Sequence, residues 1–131
     1  MGVVHKHRGQ NGANDWAGVE MVPYTGGGAV GGSVRVVIGP EDGANNFSVR
    51  YFEIEPGGQS SFDRHDHDHG IYILRGRAKV LIGWDVHDVS PGDVVYIAPN
   101  EQHQFESVGK EPLGFLCVVP PKDSPAESTK D

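Results

Sequence analysis

The stretch DRHDHDHG, Asp63–Gly70, alternates three histidines with three aspartates inside eight residues. YFEIEPGG (51–58) precedes it and GIYILRG (70–76) follows it, both with the composition of β-strands. A loose metal-sequestering tract has no such strand context, so the histidines read as parts of a folded site. Side chains on a strand alternate faces, which puts Asp63 and His65 on one side. Asp66, His67 and Asp68 have the length of a hairpin loop. That geometry is expected to set His65 opposite His69, with Asp63 beside them. His103 lies far along the chain, after a further strand and turn. Imidazoles gathered with a carboxylate on one inward face form a first-row transition-metal site. Without such compensation, several polar groups inside a small barrel are costly.

The same strand character recurs on both sides. SVRVVIG (33–39), NFSVRYFEIEPGG (46–58), HGIYILRG (69–76), RAKVLIG (77–83), VVYIAP (94–99), QHQFES (102–107) and PLGFLCVVP (112–120) are short and rich in β-branched or alternating apolar residues. Pro-Gly-Gly at 56–58 and Pro-Gly at 91–92 read as turns, and Gly76 as a bend or tight connection. No segment keeps a 3.6-residue period, and there is no internal repeat. The 19 glycines and 9 prolines suit many strands joined by turns, and 131 residues fit one domain with one core. An all-β sandwich or barrel is expected. The glycine loop YTGGGAVGG (24–32) lacks the Lys-Ser/Thr of a phosphate-binding loop and no helix pattern follows it, so it reads as a flexible connection. Residues 1–17 are expected to form a flexible N-terminal arm, 18–120 the barrel, and 121–131 a disordered tail.

A net charge of −7 repels phosphate backbones, so no nucleic-acid partner is expected. The single cysteine, Cys117, excludes an intrachain disulfide, and inside GFLCVVP it reads as a buried strand residue. No apolar run approaches the ~20 residues that cross a bilayer, and the N-terminus has no signal-peptide core. A cytoplasmic protein without a membrane partner is the expectation.

At this point the chain resembles the cupins, small jelly-roll β-barrels. Their first motif runs glycine, five residues, His-x-His, three or four residues, Glu, six residues, glycine. Gly57, Asp63-x-His65, His69 and Gly76 reproduce that spacing without a gap. The second motif runs glycine, five residues, Pro-x-Gly, two residues, His, three residues, Asn; GDVVYIAPNEQHQFES, Gly92–Ser107, keeps Gly92 and His103 at that spacing. The similarity extends from about Asn46 to Pro120. Asp63 stands where the family has its first histidine and His69 where it has glutamate. Ala98, Asn100 and Ser107 replace the second motif's proline, glycine and asparagine. The usual three histidines and one carboxylate are thus kept with the carboxylate moved. The resemblance implies a divalent transition metal (Fe, Mn, Ni, Zn or Cu) on Asp63, His65, His69 and His103. In a second register RHDH supplies the His-x-His pair, and His67 becomes the alternative fourth ligand.

Phe105 shares a face with His103, and Ile71 and Ile73 share one with His69; these are expected to line the cavity. Arg50 lies on the face of Phe52 and Ile54, where it either snorkels to solvent or pairs with a substrate carboxylate. Tyr72 and Leu74 make the opposite face of their strand apolar, which points to an extra layer or a homodimer. Cupins of this size include dioxygenases, decarboxylases and sugar isomerases. A metal-dependent, dioxygenase-like oxidoreductase acting on a small organic substrate asks least of the protein beyond a metal and a dry pocket. A non-catalytic metal- or ligand-binding sensor or effector module stands against it.

Overall fold

β-Branched and aromatic residues spaced two apart form nine strands among the described residues of the computed structural model, which are 1–9 and 14–121. They are β1 (Met21–Tyr24), β2 (Val30–Ile38), β3 (Ser48–Gln59), β4 (His69–Arg75), β5 (Ala78–Ile82), β6 (Asp85–Val89), β7 (Val94–Ile97), β8 (His103–Ser107) and β9 (Leu113–Val119). A single 3₁₀ turn, Pro40–Asp42, is the one helical element described. None is long and apolar enough to cross a membrane.

All pairings are antiparallel, in the order β6-β5-β8-β3-β9-β4-β7, with β2 added to β3 and β1 to β2. The sheet curls into a jelly-roll barrel in which, among the described residues, β1, β6 and β7 are each paired on one side only. The all-β barrel is as expected from the sequence. Its interior is filled by Val34, Ile54, Ile73, Val80, Ile97 and Leu113, each at 0% exposure.

Three local expectations are corrected. Pro56-Gly57-Gly58 is not a turn: β3 runs through it and reaches β8 at Gln59↔Glu106. A side chain at Gly58 would collide with the Val30 carbonyl and come within 3.0 Å of the Glu55 carbonyl, so the glycines make an irregularity inside the strand. Asp63–His69 is not a hairpin either. Both hydrogen-bonding edges of β4 are taken, by β7 and by β9, leaving none for residues 63–65. Instead the segment crosses the mouth of the barrel, and Asp63 forms an isolated bridge with His103. Finally, β1 and β6 were not expected. MVPY carries a proline, and DVHDV is held by its ladder with β5 rather than by burial.

The N-terminal segment lies on the outer face. His7 bridges Trp16, the Trp16 ring meets Tyr51 edge-on at 5.2 Å, and Asn14 donates to Tyr51 Oη at 3.0 Å. His5 Nε2 lies 2.8 Å from Asp42 Oδ1, and that carboxylate raises the His5 pKa. The expected tail falls on residues outside those described, apart from Pro121.

Candidate metal centre

Three histidines converge at the barrel mouth, two of them on strands. His69 opens β4 opposite Ile97, and His103 opens β8 opposite Ile82. His65 sits on the crossing segment, where its carbonyl accepts a 2.5 Å hydrogen bond from the Asn100 amide. Asn100 holds φ 62°, a left-handed turn that asparagine tolerates in place of the second motif's glycine. The ring centroids form a near-equilateral triangle: His65–His69 5.1 Å, His69–His103 5.2 Å and His65–His103 5.3 Å. Each ring offers a nitrogen within 4.8 Å of the others, so the three histidines are positioned to bind a metal ion.

The chemistry of these nitrogens fits a metal. His103 Nδ1–H donates to the Glu101 carbonyl at 2.9 Å, which leaves the Nε2 lone pair facing away. His69 is 4% exposed, and its Nε2 is buried with no hydrogen-bond partner among the described residues. Burial, then the nearby positive charges of His103 and Arg50, push the His69 pKa down to about 3. The ring is therefore neutral near pH 7, as a metal ligand must be. Its Nδ1 lies 3.3 Å from Cys117 Sγ, and Arg50 Nη2 donates to the same sulfur at 3.5 Å. Were Nε2 to hold a metal, Nδ1 would keep its proton and donate a hydrogen bond to the sulfur.

Behind the histidines is about 30 Å³ of free space. Phe52, Phe105 and Phe115 form one wall, with the stacked pairs Phe105–Phe115 at 4.7 Å and Phe52–Phe115 at 5.4 Å. Tyr24, Ser60 and Ser61 form a polar wall. Tyr24 Oη and Ser61 Oγ are 2.6 Å apart, and the Ser61 amide donates to Tyr24 Oη at 2.9 Å. Burial raises the Tyr24 pKa, so the hydroxyl keeps its proton.

The sequence-expected residues divide as follows. His65, His69 and His103 come together, and Phe105 and Arg50 line the cavity. Arg50 does not snorkel: it is 1% exposed, because β3 directs residues 50, 52 and 54 inward between β2 and β9. Ile71 and Ile73 share the inward face of His69 but pack in the core and do not line the cavity. They pair with Cys117 and Phe115, which are directed into the same interior. Asp63 and His67 lie beside the cluster and are not part of it. One Asp63 carboxylate oxygen lies near Gly27, and the His67 ring stacks on His65 at 5.1 Å and lies 4.9 Å from His69. His87 is exposed. No sequence signal marked Tyr24, Ser60 or Ser61. Phe52 was readable as the i+2 neighbour of Arg50.

Residues 50–119 match the Cupin_2 family model, "Cupin domain". The chain is 40% identical over 106 residues to 1-methylthio-D-xylulose 5-phosphate methylsulfurylase of Rhodospirillum rubrum, covering 79% of this chain and 67% of that protein. The solved cupin-2 domain protein of Rhodospirillum rubrum superposes with a TM-score of 0.78 at 34% identity, over 89% of this chain and 79% of that one. The polyketide cyclase RemF of Streptomyces resistomycificus superposes with a TM-score of 0.72 at 27% identity, over 87% and 89%.

Proposed function

The chain belongs to the cupin domain family, and from that premise we propose that it is a metal-dependent enzyme acting on a small organic oxyanion. The observation that carries this reading is the triangle of three histidines at the mouth of an aromatic-walled cavity. A divalent ion held there (Fe, Mn, Ni, Zn or Cu) supplies Lewis acidity at a substrate oxygen and keeps open coordination positions. Around it His65, His69 and His103 hold the ion, Phe52, Phe105 and Phe115 exclude water, and Tyr24 offers a protonated hydroxyl. Asp63 and His67 stand close enough to the mouth to contact a substrate or complete the ligand set.

The methylsulfurylase relative favours Lewis-acid chemistry on a methylthio ketose phosphate over the dioxygenase-like reaction expected from the sequence. Metal-loaded protein is expected to break the C–S bond of 1-methylthio-D-xylulose 5-phosphate, a small thiol taking the methylthio group as a mixed disulfide while its proton goes to the sugar carbon, and chelation is expected to abolish this. Oxygen uptake with catechols, flavonols or thiols would instead favour the dioxygenase. Stoichiometric metal without turnover of any of these substrates would favour a binding module.

The reading includes a homodimer. Tyr72, Val94, Tyr96 and Val118 form an apolar outer face on β4, β7 and β9, at 44%, 75%, 61% and 43% exposure. Light scattering is expected to give two copies, and Val94→Lys one; a monomeric wild type would end this part of the reading.

A further inference from the structure

Arg50 is a charged side chain at 1% exposure in the wall of the cavity. Its guanidinium carbon lies 4.9 Å over the Phe52 ring, and Cys117 Sγ accepts from Nη2 at 3.5 Å. The residues lining the cavity include no aspartate or glutamate, and Asp63 stands beside its mouth. A divalent ion on the three histidines would add a second positive centre to the same cavity. Two cationic centres in one low-dielectric cavity create a field that favours an anion between them. The guanidinium fork matches a planar pair of oxygens, as in a carboxylate.

Size narrows the class. One water needs roughly 10–15 Å³ of such space, so the 30 Å³ here holds about two or three heavy atoms. A carboxylate, with three heavy atoms, fits; a tetrahedral phosphate, with five, does not. We propose that Arg50 is the anion-binding half of the site, taking a planar two-oxygen head group of carboxylate size, while any phosphate on the substrate stays at the mouth. This rests on the enzyme reading given above and names the end of the substrate that enters first.

The test uses the full chain with glycolate, its neutral analogue glycolamide, and inorganic phosphate. Metal uptake is measured separately by elemental analysis. By calorimetry on metal-loaded protein, Arg50→Met is expected to weaken glycolate by roughly 10–100-fold at unchanged metal stoichiometry, with Arg50→Lys restoring part of it. Phosphate is expected not to displace glycolate. Should Arg50→Met fail to fold, the Arg50 Nε–H resonance of wild-type protein reports instead. It is expected to move on adding glycolate and to stay in place with glycolamide or phosphate. Glycolate that binds as tightly without the guanidinium, a resonance that ignores bound glycolate, or displacement by phosphate would overturn the assignment. A protein that takes up no metal, yet whose Arg50 resonance responds to glycolate alone, would overturn the metal reading and leave Arg50 in its role.

Discussion

His103→Ala is expected to abolish stoichiometric metal binding while the apoprotein still folds. His103 is 7% exposed, and its backbone is fixed by two hydrogen bonds with Asp63, of 2.9 and 3.1 Å. The ladder to β5 and the Asp63 bridge use only backbone groups, so the substitution removes the imidazole and leaves the strand. Two histidines remain, one of them on the segment that crosses the mouth. Loss of an outer-shell partner alone weakens a metal site by 10–100-fold, so loss of a ligand is expected to cost more than about 100-fold. Thermal unfolding gives the same answer independently. Metal at 100 times its Kd should stabilise the wild type by about 2.7 kcal/mol, and His103→Ala should show no metal-dependent shift. Asp63→Ala and His67→Ala, in the same titration, are expected to keep stoichiometric metal, because neither side chain belongs to the three-histidine group. Wild-type metal affinity in His103→Ala would place the ion elsewhere.

The convergence of these histidines was legible because period-two alternation is a local property. Arg50, Phe52 and Ile54 alternate inward on β3, and His103 and Phe105 on β8, as their spacing requires. Which strand pairs with which is not local. His65 and His69 meet as expected, yet not across a hairpin: β4 is sandwiched between β7 and β9, and its pairing partners are residues 22 or more positions away in sequence. Tyr24 illustrates the same limit. It reaches the cavity because β1 pairs with β2 and β2 with β3, two long-range registrations that a four-residue strand containing proline does not announce. Arg50 was ambiguous for a different reason. An arginine on an apolar face is compatible with a snorkel or with a buried site, and only the flanking strands β2 and β9 close the route to water. The fourth-ligand question turned on motif spacing, which places Asp63 by its Cα. One of its carboxylate oxygens lies near Gly27, in a loop the motif does not cover.

Gly76→Ala is expected to be the most destabilising single methyl addition at the turns of this chain. Gly76 is the buried link between β4 and β5, where the chain leaves the β7–β4–β9 side of the barrel for the β8–β5–β6 side. It holds φ 73°, which costs a residue with a Cβ about 1–3 kcal/mol. The added carbon would also collide with the Pro112 carbonyl oxygen and come within 2.9 Å of the Leu113 Cα. These are backbone atoms at the start of β9, so relief requires moving a strand rather than rotating a side chain, at about 1–3 kcal/mol more. A loss of roughly 3–4 kcal/mol should lower Tm by on the order of 10 °C. Gly83→Ala separates the two contributions. Gly83 also has a left-handed φ, 59°, but a Cβ there meets nothing within 4 Å. Only the conformational cost applies, so its loss is expected to be about 1–3 kcal/mol. Equal Tm shifts for the two variants would mean that the approach of β9 to Gly76 contributes nothing. A larger shift at Gly76 should be accompanied by weaker metal binding, because β9 carries Phe115 into the cavity wall and Cys117 against His69.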